Sequence, residues 1–438
     1  MAKVIPFRGL RYDTEKSGTQ QAVTAPPYDI ISKAEQDALY ERSEYNVIRL
    51  EYGRDCDGDG AANNKYIRAG ETLKSWIGGQ VLKFEDEPAF YIYEQVFSLQ
   101  ENVLKSLKGI ISLAELVPFS EGIVLPHEQT LSKAKEDRFN LMNATGANFS
   151  QIYSLYLDEE GTVRDIISAQ SSEAPPDVSF TTADGIVQNL WIIKDSAVNA
   201  KLTELFANKQ LFIADGHHRY ETALKYRDKC RAENPGHTGA ESFNYVMMML
   251  VDMEDDGLVV FPTHRLIKDL EGFDEVNLIG MLTENFNVSK IHFTDKDYVG
   301  VITDKMNKTL DEKMYALYTG GSYYYHLELK SLEVMETELP DMSAAYRNLD
   351  VTVLHTLILE KLLGIDKENM ARQINLTYTR DINEAVTGVA AGNYQCSFIL
   401  NPTKVSEIKD VSLANEKMPQ KSTYFWPKLV TGIVMNKF

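Results

Sequence analysis

Cysteine is scarce in this chain, with three residues (Cys56, Cys230 and Cys396) in 438. They are too few and too scattered for a disulfide framework or a Cys-rich zinc site. No apolar run reaches the ~18 residues that a membrane-spanning helix needs. The opening Met1-Ala-Lys-Val-Ile-Pro-Phe7 also lacks the apolar core of a signal peptide. A cytoplasmic protein with no membrane partner is therefore expected. Positive charge is short as well: 45 Lys and Arg stand against 64 Asp and Glu, for a formal net charge of -19. Such a balance repels phosphate backbones, and neither a basic run nor a helix-turn-helix pattern offsets it, so no nucleic-acid partner is expected. A G-x-x-x-x-G-K-[ST] loop is missing, as is a protein-kinase G-x-G-x-x-G with its companion motifs. Two common ways of cradling a nucleotide are thereby excluded.

What remains is an ordinary folded composition, 44% hydrophobic and 25% charged. At ~150 residues per domain the length suggests two or three domains. We place one cut, giving a catalytic α+β region at 1–268 and a C-terminal α+β region at 269–438. Ser32-Lys-Ala-Glu35 spells a capping box and predicts a helix start. Residues 46–52 read as a strand, 65–77 as a helix, and 89–116 as a hairpin around a polar 100–102 turn. Helical pieces at 132–145, 197–207 and 220–231 alternate irregularly with strand-like runs at 151–157, 185–194, 210–214 and 244–252. Helices and strands without strict alternation predict an α+β, mixed α/β architecture with mixed sheets.

One segment concentrates chemistry: Leu211-Phe-Ile-Ala-Asp215-Gly-His-His-Arg219-Tyr-Glu-Thr-Ala-Leu224. A short apolar strand leads into a tight Asp215-Gly216 turn, and a helix opens at once. Its free N–H groups and dipole favour an anion there. Arg219 adds a planar bidentate cation suited to phosphate. Asp215 can hold Mg²⁺ or orient an imidazole, and His217 or His218 can move protons near neutral pH. The bland alternative is a strand–helix turn that Asp215 merely caps.

Other clusters are thinner. Pro126-His127-Glu128-Gln-Thr130, followed by Lys133, Lys135 and Arg138, sets an acid, an imidazole and three cations near one helix start. Lys135 and Arg138 share a face and suit a polyphosphate. His264-Arg265 repeats the His-Arg theme after an apolar strand. His355, among Val351-Thr-Val-Leu-His-Thr-Leu-Ile-Leu359, reads as a satisfied core histidine. Asp55, Asp57 and Asp59 imitate the opening of a calcium loop, but its twelfth position is Tyr66 where a bidentate Glu belongs.

Ala25-Pro-Pro-Tyr-Asp-Ile-Ile31, Leu125-Pro-His-Glu-Gln-Thr130, the 213–224 run and Phe261-Pro-Thr-His-Arg-Leu266 together resemble the domain-of-unknown-function 1015 family, with likeness from Pro6-Phe-Arg to Trp426-Pro-Lys428. More distantly, Asp215-Gly216-His217-x-Arg219 is similar to the signature of free-serine kinases built on a ParB/sulfiredoxin-like fold. That second resemblance implies a ParB-like core around 211–224. It also implies phosphoryl transfer from ATP, ADP or pyrophosphate, with Mg²⁺, to the hydroxyl of free L-serine or a similar metabolite. His218 fills the variable position. The base is a separate acidic residue in such kinases, for which Asp29, Glu51 and Glu128 are the candidates. The same groups would also serve a phosphate-binding regulator or a phosphate-ester hydrolase.

The expectation is thus a small-molecule kinase with Asp215, His217, His218, Asp29 and Glu128 in catalysis. Gly216, Arg219, His127, Lys135, Arg138, His264 and Arg265 would bind phosphate, and Asp215 would bind metal.

Overall fold

The computed structural model describes residues 1–99, 103–130, 132–293 and 297–438. Its longest strands arise where apolar and β-branched residues run uninterrupted. Phe90–Leu99 and Val103–Glu115 pair antiparallel, from Tyr91 opposite Ile111 to Leu99 opposite Val103. The 100–102 turn expected between them lies outside the described residues. Among the described residues these strands belong to a nine-stranded mixed sheet. Its order is Val124–Leu125, Leu211–Asp215, Ile152–Tyr156, Tyr245–Asp252, Val103–Glu115, Phe90–Leu99, Val187–Ile193, Val178–Thr181, with Val4–Ile5 also paired to Val103–Glu115. Val124–Leu125 runs parallel to Leu211–Asp215, and Ile152–Tyr156 parallel to Tyr245–Asp252. Tyr245–Asp252 is buried at every position, the pattern of a strand covered on both faces rather than one. Leu202, Phe206, Tyr220 and Ala223 from helices Ser196–Phe206 and His217–Glu233 join one core cluster with Ile152, Ile213 and Met248. A second cluster gathers Leu39, Leu50, Leu73 and Trp76 with Phe149 and Met435.

The chain divides into two units: 1–126, 130–259 and 427–438 form the first, 127–129 and 260–426 the second. The single cut drawn after residue 268 has no counterpart for the 127–129 excursion or for the return of 427–438. Both are set by contacts distant in sequence, which composition does not report. In the second unit a six-stranded antiparallel sheet runs Phe286–His292, Tyr323–Leu329, Met314–Tyr318, Cys396–Leu400, His264–Ile267, Leu376–Thr379. Neighbouring residues of one strand serve opposite faces, as the pleat requires. Leu266 packs with Ile302 and Val386, whereas Ile267 packs with Leu354 and Ile358. The architecture is thus mixed α/β, as the irregular alternation of elements predicts.

The capping box at Ser32 is present, with Glu35 N–H on the serine oxygen and the Glu35 carboxylate on Ser32 N–H. The strand expected at 46–52 is instead the helical turn Ile48–Glu51. Asn46 decides this. Its Oδ1 accepts from Ile48 N–H and its Nδ2 donates to the Ala22 and Thr24 carbonyls, so tertiary partners override the β-branched run. The C-terminal segment is woven into the first unit. Thr431 bridges Ala25, Met435 bridges Leu10, and Asn436–Lys437 pairs with Ala147–Asn148. No helix among the described residues is long and apolar enough to cross a membrane.

Candidate functional site

The Leu211–Asp215 strand loses its register against Ile152–Tyr156 between Ile213 and Asp215. Gly216, at φ 101°, then turns the chain through the left-handed region that side chains avoid. The 17-residue helix His217–Glu233 starts immediately, with Gly216 as its N-cap residue. The N-cap residue itself has no side chain to accept from the first N–H groups, and the dipole of a helix start favours an anion there. A Cβ on Gly216 would lie 2.9 Å from Arg219 Nε. Gly216→Ala is accordingly expected to cost about 1–3 kcal/mol in backbone strain alone. A lowered urea midpoint would show this, and an unchanged midpoint would contradict the strained turn.

Both oxygens of Asp215 hold cations. Arg219 Nη2 donates to Oδ2 at 2.7 Å and Lys428 Nζ to Oδ1 at 2.7 Å. Arg219 also donates through Nη1 to the Gln151 carbonyl. Burial by itself would raise the Asp215 carboxyl, but Lys428, Arg219 and His217 outweigh it and hold the group well below the usual carboxylate range. Asp215 thus stays ionised as the link between two cations. His217 is buried. Burial pushes the His218 imidazole down, with Glu221 and Asp29 opposing, so neutral imidazole prevails at neutral pH.

Further groups from the same unit gather here. Asp29 is exposed in the turn Tyr28–Ile30 that follows Pro26-Pro27, and its charge reaches His218. The Arg138 guanidinium sits 3.9 Å from the centre of the Tyr28 ring. It pairs with Asp137 at 2.5 Å and with Glu51 at 3.4 Å. Burial raises the Glu51 carboxyl against the pull of Arg138, Ser150 and Arg219. A cavity of about 30 Å³ is lined by Glu51, Arg138, Ser150 and Arg219. Lys135 pairs with Glu221 at 2.7 Å, and Thr130 donates to the same carboxylate at 2.8 Å. The Lys133 side chain lies outside the described residues. Of the residues singled out from sequence, the structure therefore sets Asp29, Glu51, Lys135, Arg138 and 215–219 within one unit and in electrostatic contact. Lys428 was missed as a site residue. Its one signal is a lysine at the head of the apolar stretch Leu429-Val430-Thr431-Gly432-Ile433-Val434-Met435, which points to a charge with a buried partner.

The remaining expected residues belong to the second unit, where His127, His264 and Arg265 have partners. His127 is buried, with Nε2 3.1 Å from Thr423 Oγ1 and its carbonyl accepting from Met418 N–H at 2.8 Å. Glu128 follows it, half-buried. His264 Nδ1 accepts from Leu400 N–H at 3.3 Å, and burial, helped by Arg265, pushes its imidazole down to about 4. Arg265 is fully buried and donates to the Thr263 and Lys421 carbonyls.

A pH dependence follows from His264. Its folded-state pKa lies below the unfolded value of ~6.5, so the unfolded chain binds more protons between the two, and stability falls as pH drops from about 6.5 to about 4. His264→Gln, which keeps an acceptor for Leu400, is expected to remove about 2–3 kcal/mol of that acid sensitivity. Urea unfolding at pH 7 and pH 4.5 measures the difference, and equal losses in both proteins would refute it.

As to metal, no group of three or more His, Cys, Asp or Glu among the described residues is arranged to hold an ion. Asp215 already has a cation on each oxygen. These residues do not fit a resident Mg²⁺ site.

The model of the family described as "Protein of unknown function (DUF1015)" matches residues 4–352. No curated protein matches the chain. Among solved structures, a conserved hypothetical protein from Pyrococcus furiosus is 16% identical, with a TM-score of 0.32 and 72% of this chain and 90% of that one covered. A variant of a free serine kinase in complex with AMP is 13% identical, with a TM-score of 0.35 and coverage of 75% and 92%. C-terminally truncated SbnI from Staphylococcus aureus is 10% identical, with a TM-score of 0.34 and coverage of 73% and 85%.

Proposed function

We propose, for a chain that belongs to the DUF1015 family of proteins of unknown function, phosphoryl transfer from a nucleotide or pyrophosphate to the hydroxyl of free L-serine or a similar small metabolite. One observation carries this reading: a long helix that starts directly after a left-handed glycine, with Arg219 and Lys428 gathered beside it on the shared Asp215 carboxylate. Such an arrangement offers backbone N–H groups, a helix dipole and two cations to one phosphate. Serine as acceptor comes from the Asp-Gly-His-x-Arg motif.

Phosphoryl transfer asks for charge neutralisation and in-line placement more than for covalent chemistry. In this scheme the 216–218 N–H groups and Arg219 hold the phosphate that moves. Asp215 acts as a positioning residue, fixing Arg219 and Lys428 so that neither must reorganise during transfer. Asp29, exposed and next to neutral His218, takes the proton of the attacking hydroxyl. The new P–O bond forms to the acceptor oxygen while the bond to the leaving phosphate breaks. Mg²⁺ would arrive with the donor's phosphates and lessen their charge, and no step here depends on it.

The test is incubation with serine, Mg²⁺ and each of ATP, ADP and pyrophosphate, followed by detection of phosphoserine. Phosphate release without phosphoserine would replace the reading with a hydrolase. Donor binding without turnover would replace it with a phosphate-binding regulator.

A further inference from the structure

The second unit encloses a cavity of about 230 Å³ that the reaction above does not use. Part of its wall is Leu354–Glu360, wound as a π-helix, a rare winding that recurs at functional sites. His355 and Glu360 of this segment line the cavity. His355 Nε2 lies 3.1 Å from Arg265 Nη2. A guanidinium can only donate, so Nε2 accepts and the ring proton sits on Nδ1. Protonating the ring would set a second donor against Arg265, and burial already keeps the imidazole well below its ordinary range. Nδ1–H is thus a fixed donor, and it meets no acceptor among the described residues.

Two neighbours share this want of an acceptor. Tyr378 also lines the cavity, and its hydroxyl is buried without a hydrogen-bond partner. Arg265 packs over the Tyr378 ring at 5.3 Å, is fully buried, and has neither a carboxylate partner nor any partner for Nε among the described residues. A buried cation without a counter-charge costs several kcal/mol. Lys367 adds positive charge to the wall, where Glu360 is the lone carboxylate among the described lining residues. Leu339, Met370 and Met418 supply an apolar part. We propose that this cavity binds a small anionic metabolite, one of whose carboxylate or phosphate oxygens accepts from His355 Nδ1 and the Tyr378 hydroxyl in the field of Arg265.

Calorimetric titration of the full chain with inorganic phosphate, glycerol 3-phosphate, acetate and succinate tests this. At least one probe is expected to bind, and the phosphate and carboxylate arms identify which anion is preferred. Tyr378→Phe removes one unpartnered oxygen and leaves the ring, so the fold should persist. It is expected to weaken binding about tenfold, the worth of one hydrogen bond to a charged group. Lys201→Ala, at an exposed position of the other unit, should leave that affinity unchanged. Failure of all four probes to bind overturns the proposal, as does binding that neither Tyr378→Phe nor His355→Leu weakens.

Discussion

Removal of residues 427–438 is expected to abolish the cooperative unfolding transition of the first unit. Leu429, Val430, Ile433, Val434 and Met435 are all buried. At about 1.5–3 kcal/mol per buried apolar side chain, their loss approaches the whole net stability of a typical domain, about 5–15 kcal/mol. Polar groups suffer too. Gln151 Nε2 donates to the Val430 carbonyl and Gln95 Nε2 to that of Lys428. Gln151 would be left in the interior without that partner, a further cost of about 1–3 kcal/mol, whereas Gln95 Nε2 keeps Gln188 Oε1. Hydrogen exchange across Phe90–Leu99 and Tyr245–Asp252, with thermal melting by circular dichroism, is the measurement. Native protection of those strands in the shortened chain would show the segment to be dispensable.

Asp215→Asn is expected to reduce phosphoserine formation by at least ~100-fold, the scale on which electrostatic catalytic groups act. Asparagine keeps the shape and one acceptor but removes the negative charge that Arg219 and Lys428 share, and both cations have little exposure. Stability should fall as well, because breaking a partly buried ion cluster leaves uncompensated charge. The double variant Asp215→Asn with Lys428→Met separates the two effects. Removing the second cation lessens that uncompensated charge, so stability should recover in part while turnover stays low. Full activity in Asp215→Asn would leave the residue as a structural link only.

Much of the backbone of the candidate site was legible because its signals are local. Capping at Ser32, the glycine turn at 216 and the helix after it depend on residues within a few positions of each other, and each appears where the sequence places it. His264-Arg265 shows the limit of such reading. A His-Arg pair after an apolar strand looks the same in sequence whether it meets a ligand at a strand end or lies within the strand, as it does here in His264–Ile267. The helical turn at Ile48–Glu51 was hidden for a related reason. Buried Ile48 and Leu50 suit a strand or a helix equally, and only the remote carbonyls of Ala22 and Thr24, through Asn46, select one. Lys428 was hidden by distance, being 213 positions from the carboxylate it serves.

That distance also sets an order in time. Synthesis proceeds from the N-terminus at about 5–20 residues per second, so roughly 10–40 s separate the making of Asp215 from that of Lys428. During this interval the nascent chain carries its glycine turn and Arg219 but not the second cation on Asp215. Synthesis that terminates anywhere before residue 428 yields a product in which Asp215 lacks one of these two cations. Completion of the Asp215 charge cluster is in this way deferred until residue 428 has been made.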